Sequence, residues 1–452
     1  MKIDLSSPEV TAFAEQISTD SLGDHSYIVV VGDEAVAIDI QRDLDRFDDV
    51  LDGVDAKLTA VFETHIHNDY VSGGKRLADA HGARYVLPAN TGAPYPHTPL
   101  ADGDTIPLGP WLIRGMHTPG HTHNHMSFVL ESDEGPVAIF SGGSMLVGAV
   151  GRSDLLGPDD TETLLADQYE SVARIASELP DPSIVAPTHG AGSFCSASNV
   201  ADTTSTVALE KLRNPAILAP NLDAFIDAQL AGYRQFPVYY KHMAPMNLRP
   251  AGPPPGEPLP RVSDPASVQG ATVVDLRPFA EYAAGHLPRS ISVPASTDDA
   301  TYIAWTLPWN VPLALVGDQQ TADDATLHLQ RIGWDNVVGR IAAHDLPALA
   351  NGPLATADVI TYADLDAETG PILDVRDPVE HAEGIMEGAK TVHFADFAAD
   401  PDAFVDEDVV IHCVTGYRAS VAAGFAERAG AHATVVIDGL SNYRGRLVPP
   451  TA

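Results

Sequence analysis

Lysine is scarce in this chain of 452 residues, confined to Lys2, Lys57, Lys75, Lys211, Lys241 and Lys390. With arginine it makes only 26 basic residues against 62 acidic ones, a formal net charge of -36. So few cations exclude nucleic acid as a partner, because phosphate binding depends on them. Cysteine is scarcer still. Cys195 and Cys413 are too few for a disulfide framework, so a reducing cytoplasm is the expected compartment and a lone reactive thiol becomes possible. Long apolar runs are missing as well. No stretch approaches the length of a membrane span, and Met1 to Phe13 carries Asp4 and Glu9 without an apolar core, so neither an anchor nor an export signal is expected.

What is present is ample. A hydrophobic content of 44% can build more than one core, and the length exceeds what a single core serves, so two or three domains are expected. The acidic residues are spread along the whole chain, which reads as a solvated surface suited to high salt.

The chemistry begins at Thr64-His65-Ile66-His67-Asn68-Asp69-Tyr70, behind the strand-like run Leu58 to Phe62. A strand ending in His-x-His-x-Asp projects nitrogen and oxygen donors from the edge of a sheet, where a cation can be held. Ser26 to Ile40 reads as two strands around a Gly-Asp-Glu turn, Lys75 to His81 as a helix closed by Gly82, and Arg84 to Leu87 as a strand. Between the strand-like segments Trp111 to Arg114 and Met126 to Leu130 lies His117-Thr-Pro-Gly-His121-Thr-His-Asn-His125. A further strand, Val137 to Phe140, runs into Gly142-Gly143, a helix is expected over Thr161 to Leu179, and the segment from Ser183 ends on His189.

These residues resemble the metallo-β-lactamase superfamily, in its glyoxalase II and persulfide dioxygenase branch. The carriers are His65-x-His67-x-Asp69, the His-Thr-Pro-Gly-His121 stretch, Gly151-Arg-Ser-Asp154 and His189-Gly-Ala-Gly-Ser-Phe-Cys195. The resemblance implies an αββα sandwich with a divalent metal, iron or zinc, at one edge. Tyr70 replaces the family's next histidine, and the bridging aspartate falls at Gly143. In family terms the first metal keeps His65, His67 and His121, a three-nitrogen set able to hold zinc, and the second keeps only Asp69 and His189. Tyr70 as a phenolate ligand is a further expectation, since iron accepts one. Cys195 reads as a buried structural thiol, with metal binding or sulfur relay left open.

Residues 196 to 248 read as helical, and Arg249 to Arg261 is too rich in proline for helix or ladder, so a semi-rigid spacer is expected. Beyond it the chain repeats. Asp275-Leu-Arg-Pro-Phe-Ala-Glu281 and Asp374-Val-Arg-Asp-Pro-Val-Glu380 match at Asp, Arg and Glu, and in each copy strands and helices alternate, as in a parallel sheet covered on both faces. In the last copy the run Val409 to His412 leads into Cys413-Val414-Thr415-Gly416-Tyr417-Arg418, ahead of a helix expected from Ser420. A loop at a helix N-terminus turns backbone N–H groups inward, and with Arg418 they can stabilise a thiolate and the anion that reacts with it.

This half resembles rhodanese domains, whose cysteine carries sulfane sulfur. The resemblance makes Cys413 and Arg418 catalytic and Val414 to Tyr417 the substrate-anion loop. Aligning Gly333 with Gly430 sets Val316 opposite Cys413 and Thr321 opposite Arg418, so the middle copy is expected to be non-catalytic. The Asp-x-Arg pairs are expected to be internal salt bridges.

The expected architecture is α/β throughout: a metallo-β-lactamase sandwich (1–249), a Pro-rich linker (250–261), a non-catalytic rhodanese-like domain (262–355) and a catalytic one (356–452), the last two with parallel sheets. The expected activity is sulfur transfer through a Cys413 persulfide, coupled to a metal-dependent persulfide dioxygenase-like domain. The alternatives are a zinc-dependent thioester hydrolase of glyoxalase II type and a scaffold without catalysis. The expected partner is a small thiol persulfide or thiosulfate, with neither nucleic acid nor membrane; a homo-oligomer is left open.

Overall fold

The computed structural model describes residues 1–196, 200–249, 251–256, 258–366, 369–405 and 408–449. Residues 250 and 257 of the expected linker and the last three residues of the expected fourth segment lie outside the described residues. The chain divides into two compact units. One holds residues 1–233, 239–254 and 331–333, and the other 234–238, 255–330 and 334–452, so a division falls inside the proline-rich stretch. Among the described residues, no helix is long and apolar enough to cross a membrane.

In the first unit the period of two along the strands builds the layers. Tyr27, Val29 and Val31 of the strand Asp24–Val31 join Ile38, Phe62, Phe128 and Phe140 in the core between two sheets. The intervening Ile28 and Val30 turn outward onto the helices Asp45–Asp52 and Gly74–His81, through Phe47, Leu51 and Leu77. On the other sheet Val129, Ile139 and Val185 pack outward against Leu165, Val172 and Ile175 of the helix Pro158–Glu178. The result is helix, sheet, sheet, helix, as expected for the αββα sandwich. The sheets have seven and six strands. Full burial of a side chain such as Phe62 or Phe140 contributes about 1.5–3 kcal/mol, and the pairs Tyr27–Phe140 and Phe62–Phe128 meet with centroids 5.1 and 4.9 Å apart.

Three strand ends deliver the candidate site. Lys57–Phe62 runs into the His65 loop, Ile184–Pro187 into His189, and Gly135–Gly142 into Gly143, while the loop after Trp111–His117 brings His121. The helix after the first loop covers Gly74–His81 and ends on Gly82 in the left-handed region, and the long helix begins at Pro158, three residues before the expected start.

The second unit holds two parallel sheets, as the repeat predicts. One has strand order Ile291–Ser292, Thr272–Asp275, Leu313–Val316, Val337–Ile341; the other has Asp358–Ile360, His432–Val436, Asp408–His412, Ile372–Asp374, Lys390–Thr391. The last helix, Tyr417–Arg428, begins earlier than the expected Ser420, directly behind Gly416. The two Asp-x-Arg pairs close on themselves, with Arg277 on Asp275 at 2.6 Å and Arg376 on Asp374 at 2.7 Å. Each arginine also donates to the carbonyl of Gly285 or Gly384, pinning the following loop.

Strand pairing corrects the alignment of the copies by one residue. Asp275 faces Val316 and Asp374 faces His412, so Val316 corresponds to His412 and Gly317 to Cys413. The loop after Val316 has only Gly317 and Asp318 before its helix, where the last copy has Cys413 to Gly416. The shorter loop leaves a cavity of about 790 Å³, lined by Arg277, Glu281, Gly317, Arg340 and His344 among others. In either register the stretch of the middle copy from Gly317 to Thr321 carries neither a thiol nor an arginine.

Candidate metal centre and thiol loop

The side chains at the edge of the sandwich fall into three clusters, two of which share His189. Ligand atoms of His65, His121 and His189 lie within 4.8 Å of one another, and so, separately, do those of Asp69, His189 and Cys195, and of Asp39, Glu63 and His67. His67 is drawn aside: its Nε2 meets Glu63 at 3.1 Å, Asp39 at 3.3 Å and the Tyr70 hydroxyl at 2.9 Å, with the Tyr70 ring stacked on its own. His189 thus groups with His65 and His121, while His67 groups with Asp39 and Glu63 through Nε2 and keeps Nδ1 bare, its ring centroid 4.1 Å from that of His65. The reason is the buried carboxylates beneath the loop, which outbid a neutral site for the imidazole: burial disfavours charge on His67, but Asp39 and Glu63 outweigh it and raise its pKa well above the ordinary value. The Tyr70 hydroxyl is engaged by Nε2 of His67. Burial, with Asp39 and Glu63 nearby, pushes its pKa well up.

The remaining imidazoles share one pattern. Nδ1 of His65 is bonded to the Thr64 hydroxyl at 2.9 Å, Nδ1 of His121 donates to the Arg152 carbonyl at 2.7 Å, and Nδ1 of His189 pairs with Asp24 at 2.8 Å. Among the described residues, Nε2 of each, Nδ1 of His67 and both oxygens of Asp69 are buried without a hydrogen bond. An unsatisfied buried polar group costs about 1–3 kcal/mol. Fixing one ring nitrogen and leaving the other bare is how proteins prepare histidine for a metal. These residues therefore fit a divalent metal.

At His65 and His121 the charges agree with that fit. Burial and the neighbouring imidazoles hold His65 well below, and His121 down to about 3, so both nitrogens carry lone pairs. Burial opposes charge on His189, but Asp69 and Asp24 outweigh it and raise its pKa. His125 was one of four histidines in its loop, yet both its nitrogens are used, on the Thr118 hydroxyl at 3.0 Å and the Gly143 N–H at 2.8 Å. It braces the loop. His117 bonds the His123 carbonyl at 3.1 Å.

Gly143 now has a physical account. A Cβ there would lie 2.3 Å from Cδ2 and 2.9 Å from Nε2 of His121, so the imidazole fills the room a carboxylate would need. Gly143→Asp, which restores the family's residue, is expected to destabilise the chain by roughly 1–3 kcal/mol through overpacking and to weaken metal binding. A melting curve and a metal titration check both.

Sequence reasoning missed the supports. Asp39, at φ 55°, takes the Thr64 N–H at 2.7 Å, the Thr64 hydroxyl at 2.8 Å and the Thr188 hydroxyl, so one carboxylate ties together the His65 and His189 loops. A left-handed aspartate at a strand end costs energy that such a junction can offset. The only signal was its position, closing the strand Glu34–Ile38. Arg152, of the Gly-Arg-Ser-Asp motif, pairs with Asp154 at 2.7 Å and donates to the Phe194 carbonyl at 3.1 Å, while its N–H donates to the Cys195 carbonyl at 3.0 Å.

In the second unit Cys413 sits where the strand Asp408–His412 ends. The Gly416 N–H donates to its Sγ at 3.2 Å, and Gly416 adopts φ 93°, which lets the loop turn into the helix Tyr417–Arg428. Arg418 donates to both oxygens of Glu380, at 2.5 and 2.9 Å. Tyr417 points elsewhere, its hydroxyl donating to the Pro294 carbonyl at 2.9 Å. The middle copy walls this loop: its Tyr302 packs on Tyr417 and Phe394, with centroids 4.8 and 5.1 Å away. Glu380 and Tyr302 were missed as site residues, although Glu380 was a matched position of the repeat.

Under the loop lies His412, fully buried, whose pKa burial pushes down to about 4. In the unfolded chain it returns to about 6.5, so between these values the unfolded state binds more protons. The second unit should therefore lose stability as pH falls from about 6.5 towards 4. Denaturant midpoints at several pH values measure this, and His412→Asn should flatten the slope.

Comparison with known proteins follows the same division. Residues 25–189 match the metallo-beta-lactamase superfamily, and residues 261–341 and 360–445 each match the rhodanese-like domain. Hydroxyacylglutathione hydrolase of Gloeobacter violaceus is 30% identical over 212 residues, 42% of this chain and 83% of that protein. The Francisella philomiragia protein of the same name is 29% identical over 159 residues, and the match spans 60% of its length and 35% of this chain. A metallo-beta-lactamase from Staphylococcus aureus has a structure that superposes with TM-score 0.68 at 29% identity, covering 73% of this chain and 99% of that one. With its αββα sandwich, its buried His/Asp cluster suited to a divalent metal and its two parallel-sheet repeats, the chain belongs to the metallo-beta-lactamase superfamily, in a glyoxalase II-like form extended by two rhodanese-like domains.

Proposed function

We propose that this chain is a sulfur-handling enzyme that joins a sulfurtransferase to a metal-dependent activity on a thiol-derived substrate. The observation that carries the first half is Cys413 Sγ, which accepts the Gly416 N–H from a loop that opens a helix. The Cys413 thiolate attacks the outer sulfur of thiosulfate or of a small-molecule persulfide. A new S–S bond forms on Cys413, the donor's S–S bond breaks, and sulfite or a thiolate leaves with the electron pair. An acceptor thiolate or cyanide then takes the terminal sulfur and releases Cys413. Backbone N–H groups stabilise charge on sulfur at both steps, and Arg418, held by Glu380, faces the incoming anion.

In the first unit His65, His121 and His189 would hold the metal, with Asp69 beside them. A bound divalent metal supplies Lewis-acid polarisation of a substrate oxygen and a nucleophile at neutral pH. The chain's own part is to keep the Nε2 atoms bare, through Thr64, the Arg152 carbonyl and Asp24, and to shut out bulk water. Three nitrogens without a carboxylate at Gly143 favour hydrolysis of a thioester. One observation favours persulfide oxidation instead: Asp69, buried and 3.3 Å from His189 Nδ1, offers a carboxylate to accompany two imidazoles. Oxygen uptake with a persulfide and thioester hydrolysis, assayed at high salt beside metal analysis, separate the two. Uptake with iron bound supports oxidation, thioester turnover with zinc bound supports hydrolysis, and neither activity in metal-loaded protein sinks both.

A further inference from the structure

We propose that Cys195 is a metal ligand of this protein, completing with Asp69 and His189 a donor set that stands in for the residues lost at Tyr70 and Gly143. The inference rests on the first unit holding a divalent metal, and goes beyond it by assigning a thiolate to the coordination.

Several independent observations converge on the thiol. Cys195 is fully buried, and its sulfur lies with ligand atoms of Asp69 and His189 in one group no more than 4.8 Å across. Asp69 is itself 1% exposed, and among the described residues neither of its carboxylate oxygens has a hydrogen bond. Its charged contact is His189 Nδ1 at 3.3 Å, an imidazole already shared with Asp24, and a buried carboxylate beside an imidazole and a thiol is well matched to a cation. The sulfur meets the Tyr240 hydroxyl only at 3.7 Å, which leaves a lone pair free.

The backbone around Cys195 is held in place for this task. Arg152 grips the carbonyls of Phe194 and Cys195, Gly151 bridges to Ser196, and the Gly190 N–H donates to the Gly23 carbonyl at 2.8 Å. A Cβ on Gly23 would fall 2.2 Å from the Ser193 nitrogen, so the strand turn and the Cys195 loop touch backbone to backbone. Through Arg152 and Gly151 the motif Gly151-Arg-Ser-Asp154 thereby anchors the backbone on either side of the sulfur.

His189 belongs to both donor groups. His189 thus joins the His65 and His121 nitrogens on one side to Asp69 and Cys195 on the other. A carboxylate, an imidazole and a thiolate together suit zinc and cobalt better than they suit magnesium or calcium. As the metal–sulfur bond forms, the thiol gives up its proton to solvent, because a bound cation reverses the local preference for neutral sulfur.

The chain's shortage of cysteine makes the test clean, since Cys413 is the one other source of a thiolate. Metal-free full-length protein is titrated with Co²⁺ at high salt and followed by absorption. The expected result is visible d–d bands together with an ultraviolet sulfur-to-cobalt charge-transfer band, both retained in Cys413→Ser. In Cys195→Ser the charge-transfer band disappears and Co²⁺ affinity falls by about tenfold or more. The Cys413→Ser spectrum decides the matter even where Cys195→Ser folds poorly. Visible bands without charge transfer in Cys413→Ser overturn the assignment of Cys195 and leave the metal centre standing. Absence of both bands overturns the metal centre itself, and this inference with it.

Discussion

Cys413→Ser is expected to abolish sulfur transfer, lowering turnover by at least about 10³-fold, while the chain folds as before. A serine hydroxyl fills the same space and can still accept the Gly416 N–H, so the loop keeps its shape. It cannot carry sulfane sulfur at neutral pH, because its oxygen is neither ionised nor able to form the bond that stores the sulfur. Thiosulfate-dependent thiocyanate formation measures the loss. Mass spectrometry of the intact chain after exposure to thiosulfate locates it: the wild type gains one sulfur atom and the variant gains none. Undiminished turnover in Cys413→Ser would move the reaction to Cys195 and remove the function proposed for the second unit.

His121→Ala should cost the first unit its metal. The imidazole supplies one of four bare ring nitrogens at the site, and its orientation is set by the hydrogen bond from Nδ1 to the Arg152 carbonyl. Loss of an outer partner of a metal ligand typically costs 10–100-fold in affinity, and loss of the ligand itself should exceed that. A metal that binds only the folded chain stabilises it by RT ln(1 + [L]/Kd), so the wild type should melt higher with zinc than after chelation. In His121→Ala that difference should vanish. His125→Ala is the control: with both nitrogens already hydrogen-bonded, it should lower the melting temperature with and without metal and leave the metal-dependent difference intact. Equal metal-dependent shifts in the wild type and in His121→Ala would show that His121 is not a ligand.

Much of this molecule was legible before any coordinates. Apolar runs on either side of the Gly-Asp-Glu turn in Ser26 to Ile40, and strands closing on His65, Gly143 and His189, set out one sheet edge rich in donors. The constant offset between Asp275 and Asp374 exposed the repeat, and Gly416 and Arg418 around Cys413 marked the loop. Each of these is a local property, fixed by the two-residue period of a strand or by the conformations a glycine turn allows.

Other features could not be read that way. Spacing places His65 and His67 on one loop but does not say that Asp39 and Glu63 lie beneath it to claim His67. Nor does it say that His189, far along the chain, comes to replace it. The one-residue shift between the copies became visible only when Asp275 was seen to pair with Val316 and Asp374 with His412. Glu380 met Arg418 and Asp24 met His189 for the same reason: partners distant in sequence are chosen by how sheets stack.

Beyond the αββα sandwich, which the motif resemblance implied, the residues alone therefore set the strand and helix order, the repeated parallel sheets, the scarcity of thiols and the positions where chemistry can occur. These follow from periodicity, composition and turn chemistry along short stretches of chain. Tertiary structure alone decided which nitrogens are bare, which carboxylates are shared, and that the Cys195 sulfur lies beside Asp69. A donor becomes available only when its competitors for hydrogen bonds are removed, and that depends on neighbours brought in from elsewhere in the fold.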